Sequence, residues 1–488
     1  MSEFLIYYRR PDPTTWVYMS SFLTIGLFFI FRRFWSIRNL DIAILILLAP
    51  GLLMVNEGYK RHARLSAEIS ASLAEQEATD ASAAGSMPAQ ANAVVPVLPD
   101  RLSRIQATNE MLSESQKVSL ASANTIRRHG FIFLFCIEAL LLLRMLLDPL
   151  MVRRPLLDPN LTTGGLNFIG ISLFIFMMAN VVASTPQIQQ EQGPKLGPGY
   201  ALVNMLPAIP TRPVPSVSGE NVPQSIDDLT PAQQRRAVVA KVLAIAAQTA
   251  VLVGILLIGN RHFGNLRAGA GCAMLYLLMP YTAQMTGRVD HVVPAALLLW
   301  GVLFYRRPVM AGMFVGAAAG LVYYPLFLLP LWFSFYWQRG LRRFAIGVVA
   351  VLTILMSLLA FTGDQSFVEQ LRQMFGLFRP TQDPRGVWEL GWNPMWRLPV
   401  IVAFVILSFF LAVWPARKHL GILTSSSAAV MIAAQFWHGY GGGLYMAWFL
   451  PLVLLTVFRP NLQDRVALKV IDEPQQPRLR SPLEMDAA

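Results

Sequence analysis

Two short stretches carry side chains whose types suit chemistry. Glu57 stands at the end of the apolar run 40–56, and Arg288, Asp290 and His291 fall in Gly287-Arg288-Val289-Asp290-His291, at the start of the run 291–305. Ionisable groups beside or inside apolar runs are costly to keep and tend to mark functional sites. Each also has a structural reading. Asp290 precedes a helical run and suits an N-cap, and Glu57 suits the water boundary of its run. Glu138, Asn180 and Gln248 lie inside apolar runs, where they would form a polar path. Arg144 and Asp148 are spaced i, i+4, the spacing of an ion pair on one helix.

Two loops add further candidates. His438 opens the string His438-Gly439-Tyr440-Gly441-Gly442-Gly443, whose glycines let a backbone approach a ligand closely or simply turn between helices. Glu389 lies between Trp388 and Trp392, where a carboxylate bonds a sugar while a ring stacks on it; an interfacial aromatic belt explains the same residues. Cys136 and Cys272 both fall in apolar runs and suit small core residues better than a disulfide or metal pair. No phosphate-cradling loop, dinucleotide-binding glycine pattern or HExxH occurs, which argues against a self-contained ATP-driven transporter.

The elements that hold these residues follow from composition. Of 488 residues, 55% are hydrophobic and 14% charged, whereas a soluble chain carries about a quarter charged residues. The apolar residues gather into blocks long enough to cross about 30 Å of hydrocarbon. The blocks are 16–31, 40–56, 129–150, 166–184, 236–259, 268–286, 291–305, 308–322, 323–337, 344–362, 398–414, 420–436 and 444–458. The expectation is an all-α polytopic membrane bundle of about 13 spans, with 308–337 either two short helices or one kinked at Tyr323-Tyr324-Pro325. Net charge is +12, but the cations sit in clusters between blocks, which suits topology rather than a nucleic-acid surface. The opening MSEFLIYYRRPDP lacks the layout of a cleavable signal. Arginine clusters after the first, third, fifth and seventh blocks, and after later ones, set the C-terminus in the cytoplasm and the N-terminus outside. Arg9, Arg10, Arg235 and Arg236 oppose that orientation.

Four divisions follow. An N-terminal transmembrane pair spans 1–56, a polar helical insert 57–128, the main bundle 129–458 and a disordered cytoplasmic tail 459–488. The insert is expected as a helical hairpin, with Leu65, Ile69 and Leu73 on one stripe and Leu102, Ile105 and Leu112 on another. The proline-rich loop 185–234 is expected to be an extended strap or disordered. In 363–397, Phe367, Leu371, Met374, Phe375 and Phe378 share a face opposite Glu369, Arg372 and Gln373, the pattern of a helix lying in the interface.

The Gly287–His291 stretch, its span, the turn Arg306-Arg307-Pro308 and the small-residue segment AGMFVGAAAGLVYYPLFLLPLWF resemble GT-C integral-membrane glycosyltransferases. The likeness is to bacterial relatives of the polyprenol-phosphate-mannose-dependent mannosyltransferases, over roughly 270–345. Arg288 stands where members carry Gln, and Tyr323 and Tyr324 where a Lys is common. The resemblance implies sugar transfer from a polyprenyl-phosphate donor to a lipid, glycan or protein acceptor at the outer face of a bacterial inner membrane. It implies that an acid just after a span acts as base, here Glu57, taking the proton of the attacking hydroxyl. Asp290 is then a second acid, orienting acceptor or a divalent cation. Arg288, Arg385 and His438 face the phosphate, which needs positive charge as it leaves. His291, Tyr324, Glu389, Trp392 and Tyr440 complete the substrate-binding set. A transporter or flippase using the mid-membrane polar groups is the competing reading, though no internal repeat of the kind transporters carry is seen. A silent scaffold that recruits a partner through 57–128 is the third.

Overall fold

The computed structural model describes residues 13–84, 114–151, 156–182, 200–206, 230–362, 366–377, 386–439 and 441–460. All regular structure among them is helical. In chain order it comprises α1 (Pro13–Phe28), α2 (Ile37–Ala84), α3 (Glu114–Leu147), α4 (Thr163–Val182), α5 (Ala201–Met205), α6 (Pro231–Arg261), α7 (Leu266–Leu278) and α8 (Pro280–Gln284). Then come α9 (Val289–Leu303), α10 (Pro308–Leu321), α11 (Leu329–Tyr336), α12 (Leu341–Thr362), α13 (Phe367–Phe375), α14 (Arg397–Val413), α15 (Leu420–Trp437) and α16 (Leu450–Phe458).

The apolar blocks form helices because a helix satisfies its own backbone polar groups where no water can. Seven stretches are long and apolar enough to cross a membrane: Ile37–Ile69, Glu114–Leu150, Thr163–Val182, Gln234–Arg261, Leu341–Ala360, Pro394–Val413 and Leu420–Trp437. Their outward faces suit lipid. Phe168, Ile171 and Ile175 on α4 and Val402, Ile406 and Phe409 on α14 are all exposed, a patterning that would aggregate in water.

Several of the remaining apolar blocks form shorter helices than expected. Block 268–286 breaks at Met279 ahead of Pro280, since the residue before a proline avoids the helical region. The 13 residues of α7 therefore rise only about 20 Å. Block 308–337 resolves into α10 and α11, separated by an extended Val322 and a 3-10 turn at Tyr324–Leu328. Block 444–458 is continuously helical only over α16.

Two helices exceed what a bilayer needs. The 48 residues of α2 span about 72 Å and the 34 of α3 about 51 Å, against about 30 Å of hydrocarbon. They pack side by side and run on without a break into the region expected as a helical insert. The Leu102, Ile105 and Leu112 stripe lies outside the described residues, as do Phe378 and the tail beyond 460. The loop 185–234 is corrected in part: Tyr200 is fully buried and leads into α5, so this portion is core rather than strap. On α13 the chain turns at Gly376 with φ +64°, which ends that helix at Phe375. Its buried residues are Gln370 and Met374, while Phe367 is exposed.

One end of the bundle is locked by buried charge. Arg144 of α3 donates to both carboxylate oxygens of Asp41 on α2, at 2.7 and 3.0 Å, and to Asp148 at 3.3 Å. Arg459, after α16, reaches the other oxygen of Asp148 at 3.2 Å. The expected Arg144–Asp148 pair is thus half of a network joining three helices. The small-residue helix α10 also has a packing role. A Cβ added at Gly312 would lie 2.2 Å from the Phe344 carbonyl oxygen, and one at Gly347 the same distance from that of Val309. Glycine is what lets α10 and α12 touch backbone to backbone.

Candidate functional site

At the opposite end, residues from distant parts of the chain converge on the start of α9. Asp290 lies in the first turn of that helix and is fully buried. The N-cap position belongs to Arg288, whose side chain makes no capping bond, so the expected Asp290 cap is not formed. Arg288 instead grips the Asp290 carboxylate with two bonds, at 2.9 and 2.7 Å, the fork geometry that a guanidinium offers a carboxylate. His291 Nε2 lies 3.5 Å from the same carboxylate. The Tyr281 hydroxyl and His291 Nδ1 are hydrogen-bonded at 2.5 Å. Trp448 donates its ring N–H to the Asp290 carbonyl at 3.1 Å.

A second imidazole joins through aromatic stacking. Tyr445 stacks on His291 at 4.3 Å between centroids and leans on His438 at 4.4 Å. Tyr324 also stacks on His438, at 4.8 Å, and His438 Nε2 bonds the Tyr200 hydroxyl. His438 is fully buried. Burial holds its pKa well below the ordinary imidazole value, the positive charges of Arg397 and His291 add to that, and Asp290 opposes it. Arg397, at the start of α14, donates to the Trp437 carbonyl at 3.0 and 3.3 Å. The glycines after His438 serve protein contacts. A Cβ at Gly442 would sit 2.1 Å from the Gln435 carbonyl oxygen, and one at Gly386 would sit 2.6 Å from Gly441 Cα. They bring the 438–443 turn against α15 and the 386–396 segment, so the close approach they permit is to the chain itself.

The other expected residues stand beside this cluster. Glu57 is half exposed and pairs with Arg61 at 2.8 Å. Next to it on α2, Gly58 packs against Arg127 of α3. Arg127 lies over the Tyr59 ring at 4.3 Å and reaches Glu389 at 3.4 Å. Glu389 therefore binds an arginine that sequence patterning did not single out. Trp392 lies elsewhere, on the wall of an apolar cavity with Trp388 and Trp396. Arg385 and Tyr440 lie outside the described residues. Arg288 was expected to face a phosphate, but its fork is taken by Asp290.

Cys272 is buried as expected, whereas Cys136 is exposed and lines the same cavity as Trp392. Gln248 accepts from the Tyr276 hydroxyl at 3.0 Å, and Asn180 donates to the Phe176 carbonyl on its own helix. Glu138 is fully buried against the Gly443 turn, and neither of its oxygens finds a hydrogen-bond partner among the described residues. Among those residues no three His, Cys, Asp or Glu side chains are grouped to hold a metal ion.

Tyr200, Tyr281, Tyr445, Arg397 and Trp448 were not singled out in the sequence. Tyrosine and tryptophan are so common in membrane-flanking positions that type alone carries no signal. No protein-family model, no curated protein and no solved structure matches the chain.

Proposed function

We propose that this protein is a membrane glycosyltransferase, moving a sugar from a polyprenyl-phosphate donor to a lipid, glycan or protein acceptor. The reading places the transfer at the outer face of a bacterial inner membrane, with about 13 spans, the N-terminus outside and the C-terminus in the cytoplasm. One observation carries it. Arg288, Asp290, His291, Tyr324 and His438 meet in a single buried polar cluster at the same end of the bundle as Glu57 and Glu389. A bundle needs no such cluster in order to span lipid, and buried polar groups of this kind are kept at a cost.

The roles follow from exposure and partners. Glu57 is the one of the two acids open to solvent, so it is the base that takes the proton of the attacking acceptor hydroxyl as oxygen bonds to the anomeric carbon. Asp290, gripped by Arg288 and fully buried, acts through its neighbours as a positioning residue. It holds His291 and, through Tyr445, orders His438. Arginine supplies the positive charge for the departing lipid phosphate, and a bound divalent cation would add to it.

The test is transfer of radiolabel from polyprenyl-phosphate-mannose and -glucose into membrane extracts at matched expression. Removing a general base slows a reaction by about 10²–10⁴-fold, the loss expected for Glu57→Gln. Wild-type incorporation that Glu57→Gln leaves unchanged would overturn the assignment of the base. No incorporation from either donor would favour the transport or scaffold reading.

A further inference from the structure

An apolar cavity of about 700 Å³ opens on the surface between α3, α14, α15 and the 386–396 segment. Ile132, Phe135 and Cys136 of α3 form one wall, and Trp388, Trp392 and Trp396 form another. Trp392 and Trp396 are 45% and 65% exposed, so the mouth is rimmed by indole rings, the side chains that favour a bilayer interface. In volume the cavity falls among ligand sites of about 300–1,000 Å³.

The charge next to it is basic. Arg128 is exposed and precedes Ile132 by four residues, so it stands in the same helical row as the cavity wall, one turn beyond it. Arg127 is buried, and its Nε has no hydrogen-bond partner among the described residues. One Arg127 terminal nitrogen meets Asn124 at 3.1 Å and the other reaches Glu389, the chain neighbour of Trp388, at 3.4 Å. Lys60, Arg61 and Arg64 lie on α2 at this end, and the nearby acids Glu57 and Glu389 are fewer than the cations.

We infer that this cavity is a binding site for an anionic phospholipid of the surrounding bilayer. One acyl chain enters the tryptophan-lined cavity, and the headgroup phosphate meets the exposed guanidinium of Arg128. Bilayer phospholipid is the most concentrated hydrocarbon that a membrane protein meets, and Arg128, with the excess of cations around it, selects its charge. The site is separate from the buried Asp290 cluster, so the inference does not depend on sugar transfer.

The experiment uses the full chain in nanodiscs holding equal mole fractions of phosphatidylglycerol and phosphatidylcholine, with bromine on the acyl chains of one lipid or the other. Bromine quenches tryptophan fluorescence on contact. The cavity's share is the part lost in a Trp388→Phe, Trp392→Phe, Trp396→Phe variant. An arginine near the surface adds about fivefold in favour of the anionic lipid. Brominated phosphatidylglycerol should therefore quench the cavity tryptophans more than brominated phosphatidylcholine does. Arg128→Gln should equalise them. Equal quenching in the wild type would overturn the proposal. So would loss of the phosphatidylglycerol signal on adding one equivalent of undecaprenyl phosphate, which would give the cavity to an isoprenoid instead. Sugar transfer, measured separately, stands or falls on Glu57.

Discussion

His438 shows how a single side chain ties the site to the fold. It is enclosed by Tyr200, Tyr324, Tyr445 and Trp448, so a positive charge there would lose its water. Its folded pKa is depressed, chiefly by burial, while the unfolded chain keeps an ordinary value of about 6.5. Below that pH the unfolded state binds a proton that the folded state refuses. Stability is therefore fully present above pH 6.5 and falls as the pH drops, by up to about 1.4 kcal/mol per pH unit. Thermal unfolding in detergent from pH 7.5 to 5.5 should show the midpoint falling in the wild type and falling less in His438→Gln. A wild-type midpoint that does not move over that range would count against a neutral, buried His438. Asp290 teaches a related lesson. A carboxylate that looks like a helix cap from its place in the sequence is held by the Arg288 fork instead.

At the scale of elements, the far end of the bundle is secured by charge and the middle by close backbone contact. Asp148 accepts from Arg144 and from Arg459 and is fully buried. Removing one partner of a buried ion pair costs about 3–5 kcal/mol, because the remaining charge is left uncompensated. Asp148→Asn is expected to destabilise by that amount, read as a lower midpoint of unfolding. Gly421 belongs to the same arrangement: a Cβ there would overlap the Arg459 guanidinium, so α15 needs glycine where the arginine passes. Between α10 and α12, Gly347→Ala would press a methyl into the Val309 carbonyl. Overpacking of this kind costs about 1–3 kcal/mol, and Gly347→Ala should lower the midpoint while leaving the pH response of His438 intact. A fall no larger than that of an exposed substitution would mean that the two helices shift apart freely.

For the whole molecule, the proposed orientation puts the Glu57 end outside. The arginine clusters between blocks support it, yet Lys60, Arg61, Arg64, Arg127 and Arg128 lie close to spans at the Glu57 end and pull the other way. Anionic lipid bound beside Arg128 would offset part of that charge. Orientation is settled by a membrane-impermeant maleimide on intact cells, with both native cysteines replaced by serine. Ser115→Cys should react from outside, and Arg306→Cys should react only after permeabilisation. The reverse pattern would invert the topology and put the proposed chemistry on the cytoplasmic side.

Much of this architecture is local and was legible without coordinates. Apolar blocks become helices because composition alone decides whether a segment can satisfy its backbone in lipid, and the i, i+4 spacing of Arg144 and Asp148 foretold their pair. The break near Pro325 was visible for the same reason, since proline removes a donor whatever surrounds it. What the chain order could not convey was which residues meet. Tyr200 looked like part of a proline-rich strap, yet it bonds His438, 238 positions away. Arg288 looked free for a phosphate, and the same forked side chain proved to be taken by Asp290 two residues on. Span length also depended on the folded chain, because a helix ends where a turn and its packing end it, as α7 does before Pro280. Side-chain partnership is a property of three-dimensional packing, and only the tertiary structure decided it.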